Sequence, residues 1–280
     1  MDGGERRHGR EPFFFGVPLI ARSRAADWGR VGDLLELTLR STLAQTDGAF
    51  TLLLAGHDVP EGWDRLVRGD RRFRFLRAGW DPAAPTRAND DGGAKKSMIV
   101  RAVRRAGGGL LMYLDADDLV DRRTVEVARA GIRREHVGGI AERGIMLDFR
   151  TLRAGALPMP GVYDGAFVEL CGSSTVARID PASPDPARRD PHAALGSHHL
   201  WPRAAAEAGL ALARLPLMGA YVVNTDQNHS ETHGPFAAWR RRLNAALARE
   251  GAPLDRVTAA RFGVTLDLLA AKSCALPIDR

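Results

Sequence analysis

Residues Gly109 to Val120, GLLMYLDADDLV, constrain this chain more than any other stretch. Leu110 to Leu114 form an unbroken apolar run, long enough for a strand buried on both faces and too short for a helix. It ends abruptly in Asp115, Asp117 and Asp118. Two carboxylates about 4 Å apart repel by about 4 kcal/mol at an effective dielectric of about 20, so three at the mouth of a buried strand cost stability unless a cation meets them. Magnesium and manganese take oxygen ligands and are commonly shared between a carboxylate or two and a substrate's phosphates. Ligands in open α/β sheets sit beyond the carboxyl ends of the strands, where these acids fall. The simpler alternative is a helix cap, with Asp118 or Asp121 serving the segment from Arg122 onward. One Asp suffices for a cap.

The residues before this stretch alternate between strand and helix patterns. Phe13 to Ala21 (FFFGVPLIA) predicts a first strand, with Pro18 marking an edge, a bulge or an early end. Arg22 and Arg24 follow at its carboxyl end, where a phosphate or a base would be met. From Val31, Leu34, Leu35, Leu39 and Leu43 recur at helical spacing, and Thr46 to Gly48 closes that helix. Phe50 to Ala55 and Arg72 to Leu76 predict two more strands. Asp58 and Asp81 each follow a strand, a position that suits a base or ribose contact and equally suits a turn. After a loop from Trp80 to Gly93, a helix carries Met98, Ile99, Ala102, Val103 and Ala106 on one face, with Lys95 and Lys96 near its start. A glycine pair, a helix N-terminus and a lysine can cradle an anion. This alternation implies a mostly parallel sheet.

Beyond the acidic stretch, Gly144 to Phe149 and Thr151 to Leu157 predict a hairpin, and Phe167 to Ile179 two strand-like halves around a glycine-serine turn. Asp180 to Pro191 is proline-rich and reads as a loop. His198 to Pro216 reads as a helix and Ala220 to Asn224 as a last strand. The chain from Pro235 to about Leu269 reads as helical and basic, with Phe236, Trp239, Leu243 and Leu247 on one face. Trp239 beside Arg240, Arg241 and Arg242 suits packing onto the domain or contact with an anionic membrane face.

Composition narrows the function classes. The net charge is +6, yet lysine occurs only at 95, 96 and 272, and the arginines are scattered without an aromatic-interleaved stripe, which argues against a nucleic-acid partner. No apolar run reaches the roughly 18 residues of a membrane span, so a cytoplasmic enzyme, at most touching the inner membrane face, is expected. Cys171 and Cys274 make no metal-type pair.

The order of these pieces, strand, helix, strand ending near Asp58, a GGAKK helix start, and a buried strand ending in DADDL, resembles the nucleotide-sugar half of a GT-A fold glycosyltransferase. It is most similar to the family 2 type, with its rhamnosyltransferase-like bacterial relatives, over Phe13 to Ala130. The resemblance implies a Rossmann-like, mostly parallel α/β sheet flanked by helices, preceded by residues 1–11, which are polar and glycine-rich and read as a disordered tail. Residues 12–234 would form the transferase domain, 12–130 as its donor half and 131–234 as its acceptor half, and 235–280 a C-terminal helical extension. It implies that Asp115 contacts the ribose or a metal-bound water and that Asp117 ligates magnesium or manganese, with Asp118 in support. Asp58 would lie near the base, with Lys95, Lys96 and Arg101 along the donor and Arg22 at the first strand's end. A C-terminal histidine commonly completes the metal shell, which His229 or His233 would do, His229 being favoured.

The sequence departs from the family where an acidic pair would supply the catalytic base. Gly196, Ser197, His198 and His199 stand there. His198 or His199, oriented by Asp190, is the expected base, and the alternative is a surface histidine pair. The expected activity is metal-dependent transfer of a hexose-type sugar, with inversion, from a nucleotide diphosphate donor to a hydroxyl of a glycan, a lipid-linked or a small-molecule acceptor. Two rivals remain: a phosphohydrolase using Asp115 as nucleophile and Asp117 as acid, and a non-catalytic nucleotide-sugar binding protein.

Overall fold

The computed structural model describes residues 10–86 and 89–273. In chain order, β1 (Phe13–Pro18) leads to α1 (Trp28–Leu43), β2 (Thr51–Gly56), α2 (Trp63–Val67), β3 (Phe73–Arg77), α3 (Asp90–Arg105), β4 (Gly109–Tyr113) and α4 (Thr124–Gly131). Then come β5 (His136–Asp148), β6 (Arg153–Leu157), α5 (Phe167–Leu170), β7 (Thr175–Ile179), α6 (Pro186–Arg189), α7 (Pro191–Leu195), α8 (Trp201–Glu207) and β8 (Ala211–Val223). The chain closes with α9 (His229–Thr232), α10 (Ala237–Glu250), β9 (Ala252–Pro253), α11 (Arg256–Arg261) and α12 (Leu266–Ser273).

The strands form one sheet in the order β3-β2-β1-β4-β7-β5-β6-β9, with β8 parallel to β5. Only β7 and β6 run against the others, so the expected mostly parallel α/β sheet is what this sequence forms. Strand β1 lies between β2 and β4, so Pro18 marks the end of an interior strand rather than an edge. Alternate residues of β1, β2 and β4 pack to opposite sides. Phe13, Phe15, Leu52, Leu54, Leu110 and Met112 meet α1 through Leu35 and Leu39, while Phe14, Leu53 and Leu111 meet α3 through Ile99, Val100 and Val103. Burial on both faces is why these strands read as continuous apolar runs.

Three expectations need correction. Phe167 begins a short helix, not a strand, because its ring fills the space above Gly144 on β5 and Gly219 on β8, which are register partners. A Cβ at either glycine would overlap that ring. The Asp180 to Pro191 stretch contains α6 and the start of α7, each with proline in its first turn and an aspartate cap. Asp185 accepts from Ala187 N–H at 2.9 Å and Asp190 from Ala193 N–H at 3.1 Å. The helix expected over His198 to Pro216 stops at Glu207. Gly209, at φ 64°, reverses the chain, and Ala211 to Leu217 continues as a strand whose residues alternate exposed and buried. Pro216 falls at the register shift between β5 and β8, where a missing N–H breaks no ladder bond.

Helices do follow residue 235, and they are built into the core. Leu243 and Leu247 of α10 pack with Met146, Leu157 and Phe167, while Phe262 and Leu269 pack with Leu34, Ile145 and Val222. Of the tail expected over 1–11, residues 1–9 lie outside the described residues, as does Cys274. Glu11 is held, its carbonyl accepting from Arg129 Nε at 2.8 Å. Gly144→Ala should destabilise the protein by about 1–3 kcal/mol through overpacking against Phe167. Urea unfolding should also show partial recovery when Phe167→Leu is added.

Candidate functional site

The carboxyl end of β4 opens into a cleft of about 360 Å³. Loops after β1, β4 and β8, the start of α3, and α10 supply its walls. The three acids at its floor have different roles. Asp118 is buried: Oδ2 accepts from Ser173 Oγ at 2.7 Å and from Cys171 Sγ at 3.3 Å, and Oδ1 accepts from Val222 N–H at 3.0 Å. It is a supporting residue. Ser173 Oγ also accepts from Asp115 N–H at 2.9 Å, so the Asp118 bonds position the turn that presents Asp115 and Asp117 to the cleft.

Neither Asp115 nor Asp117 forms an ion pair among the described residues, and Asp117 Oδ2 accepts from Thr225 Oγ1 at 3.4 Å. Burial, then the charges of Asp118 and Asp115, push the Asp117 carboxyl well above the usual carboxylate range. Burial and Asp115 push Asp118 up to about 7. Like charges have been gathered here, and no cationic side chain among the described residues pairs with them. Among the described residues no three His, Cys, Asp or Glu side chains gather closely enough to hold an ion by themselves.

The loop after β8 reaches the acids because Asn224 and Asp226 adopt φ of 57° and 64°, a region that Asn and Asp tolerate better than other side chains. It brings Thr225 to Asp117, and Gln227, Asn228, His229 and Ser230 to the cleft. His229 thus shares the cleft with Asp115 and Asp117, and its ring stacks on that of His233 at 5.5 Å.

The two lysines diverge. Lys95 is buried, its Nζ donating to Leu19 O at 2.7 Å and pairing with Asp91. It fastens α3 to the loop after β1, so its charge is already matched. Lys96 lies 5.3 Å from the Tyr113 ring centroid and lines the cleft without a carboxylate partner among the described residues.

The histidine pair also divides. His198 lines the cleft and its Nδ1 bonds Val168 O, which assigns the proton to Nδ1 and leaves Nε2 as the basic nitrogen. Burial pushes its pKa down to about 4. Gly172 lies between His198 and Asp115: a Cβ there would stand 3.2 Å from Asp115 Oδ2 and 3.8 Å from His198 Cδ2. His199 is exposed and outside the cleft lining. Asp190 caps α7 and does not orient either histidine. Three other expected contacts also lie outside the lining. Asp58 Oδ2 accepts from Arg22 N–H at 3.0 Å, joining two loops, and Arg101 is exposed on α3. Arg24 rather than Arg22 lines the cleft, its guanidinium held by Pro82 O.

Several cleft residues escaped the sequence reading. Tyr221 and Arg240 are the most prominent, joined by a 2.7 Å bond from Arg240 Nη1 to Tyr221 Oη. The available signal was Tyr221 near the end of the strand preceding the TDQNHSETHG loop. Nothing in sequence separated Arg240 from its neighbours.

No protein-family model and no curated protein matches the chain. Among solved structures, the 1–349 portion of S. aureus TarS in complex with UDP-GlcNAc aligns with 90% of this chain and 71% of its own, at TM-score 0.49 and 11% identity. S. aureus TarS aligns over 60% of this chain at TM-score 0.36 and 13% identity, and this chain spans only 28% of it. The apo-form glycosyltransferase GlyE of Streptococcus pneumoniae aligns over 88% of this chain and 53% of its own, at TM-score 0.35 and 9% identity. The roles of individual residues therefore rest on the geometry of this chain.

The acids should separate by mutation. Asp118→Asn places an amide N–H₂ against a buried donor and should cost about 1–3 kcal/mol. Asp117→Asn removes repulsion. A carboxyl whose folded pKa is raised holds its proton in the native state after the unfolded chain has lost it, so the parent loses stability as pH rises from about 4. The melting temperature of Asp117→Asn should match the parent near pH 4 and exceed it increasingly as the pH rises from there. A constant difference would contradict this account.

Proposed function

We propose that the chain transfers a sugar from a nucleoside diphosphate donor to an acceptor hydroxyl, with the diphosphate held at Asp115 and Asp117 and the acceptor's proton taken by His198. The observation that carries this reading is the pair of carboxylates at the end of β4 that form no ion pair among the described residues, in one cleft with a neutral His198 and with Lys96, which has no carboxylate partner among them.

The donor set suits magnesium or manganese: hard carboxylate oxygens and a nearby Thr225 hydroxyl, with the Cys171 thiol buried and donating a hydrogen bond to Asp118. Two protein carboxylates are enough where phosphate oxygens and water complete the shell, and His229 is the expected further ligand. When bound, the divalent ion would neutralise charge developing on the departing diphosphate. Lys96 adds a second positive charge on the donor side, whereas Lys95, already paired with Asp91, shapes the loop instead.

His198 is neutral at any pH near 7, so Nε2 is ready to accept a proton as the attacking hydroxyl becomes acidic in the transition state. Asp115 raises the His198 pKa through its charge and so stabilises the imidazolium that forms. A single displacement with one such base inverts the anomeric centre. The acceptor is a glycan, lipid-linked or small-molecule hydroxyl. No helix among the described residues is long and apolar enough to cross a membrane.

Calorimetric titration with UDP, GDP and dTDP should give manganese-dependent binding of one nucleotide, abolished by Asp117→Asn. If no nucleotide binds with or without metal, the reading fails. With the matching nucleotide sugar, His198→Gln should lower turnover by about 10²–10⁴-fold while leaving nucleotide affinity unchanged. With manganese and donor saturating, so that Asp117 is held deprotonated, the parent's rate should stay flat from about pH 6 to 8, because a base that titrates near 4 is already deprotonated there.

A further inference from the structure

The basic run at the start of α10 is split by the fold. Arg242 is exposed, Arg241 Nη1 donates to Glu231 O at 2.9 Å, and Arg240 turns into the cleft. Its Nη1 donates to Tyr221 Oη at 2.7 Å and its Nη2 to Leu170 O at 3.2 Å, with the guanidinium 5.4 Å from the Tyr221 ring centroid. All these partners are neutral. A half-buried guanidinium is ordinarily matched by a carboxylate, yet Arg240 forms no ion pair among the described residues. The nearby acid Glu231, which feels its charge, already accepts from Asn224 N–H through Oε2.

Tyr221 is itself fixed. Its Oη lies 3.3 Å from Ser230 Oγ and 3.5 Å from Asn228 Nδ2, so the group orienting Arg240 is braced by the loop that also meets Asp117. The cleft therefore holds an oriented, unneutralised cation and two unneutralised carboxylates that do not pair with each other. A ligand that satisfies both must offer anionic oxygens to Arg240 and chelate a cation at the acids. A diphosphate does both. We infer that Arg240 binds the terminal phosphate of the nucleoside diphosphate and stays with it as the leaving group departs, which makes α10 part of the catalytic apparatus. The inference rests on the reading of Asp115 and Asp117 as the diphosphate site. A guanidinium fork on phosphate oxygens forms short, charge-assisted bonds that a point charge reproduces only in part.

The test is calorimetric titration of the parent, Arg240→Gln and Arg240→Lys proteins with UDP, GDP and dTDP in the presence of manganese, alongside the melting temperature of each ligand-free protein. The diphosphate that binds the parent should lose about ten- to hundredfold in affinity in Arg240→Gln. Arg240→Lys should retain part of the affinity, with the ligand-free melting temperature of both variants close to the parent's. If Arg240→Gln melts early, the comparison rests on Arg240→Lys, whose affinity should still fall while its melting temperature holds. Unchanged diphosphate affinity in the variants, or a loss that tracks falling melting temperature in both, would overturn the inference. A parent that binds none of the three diphosphates would overturn the diphosphate site itself, a result distinct from a parent that binds and a variant that binds equally well.

Discussion

The buried carboxylate of Asp118 holds together the segments that make the cleft. It gathers the Ser173 hydroxyl, the Cys171 thiol and the Val222 N–H, while its own carbonyl accepts from Thr38 Oγ1 of α1 at 2.9 Å. A carboxylate without water to solvate it needs this many donors. The same bonds fix the backbone of the two preceding acids, since Ser173 Oγ also receives Asp115 N–H. One aspartate of the DADD sequence is thus withdrawn into the protein so that the other two face outward at fixed positions. The like-charge repulsion among them is the cost of that arrangement, visible in the upward shift of both Asp117 and Asp118.

The part of the fold from β1 to α4 was legible in sequence because its strands are buried on both faces and its helices carry one apolar stripe each. Leu110 to Leu114 allowed no other reading, and β1, β2, β3 and α3 were located to within a few residues. The part from β5 onward was misread where local composition and tertiary packing disagree. ALARLP is rich in good helix formers, yet it becomes strand because Gly209 ends α8 and β5 offers an unfilled edge. FVEL is apolar enough for a strand, but the Phe167 ring fills a slot at Gly144 and Gly219, which lie elsewhere in the chain. The short helices at Pro186 and Pro191 carried their signal openly, in two Asp-Pro pairs, and it was outweighed by the density of proline.

Within the site, residue type was readable and direction was not. Two adjacent histidines differ completely in environment, one bonded to Val168 O in the cleft and the other exposed. Two adjacent lysines differ likewise, one buried against Asp91 and the other lining the cleft over Tyr113. Three consecutive arginines send a single side chain inward. Neighbours on a helix project about 100° apart, so a doublet or triplet nearly always contains one member facing the fold. His192 shows the limit of the argument. Sequence gave it no role, and it stacks between Tyr113 and Trp201, where burial holds it neutral with a pKa near 3.

The pairing of Leu119 with Ala220 and of Asp118 with Val222 joins the middle of the chain to its last quarter. During synthesis the parallel core of β1 to β4 can assemble while the ribosome is still adding β8. The acids at the end of β4 then lack the Val222 N–H, the Thr225 hydroxyl and the wall formed by α10. A chain ending before β8 would present Asp115 and Asp117 on an open sheet end, so the surroundings of the two acids are complete only once β8, the loop after it and α10 are in place.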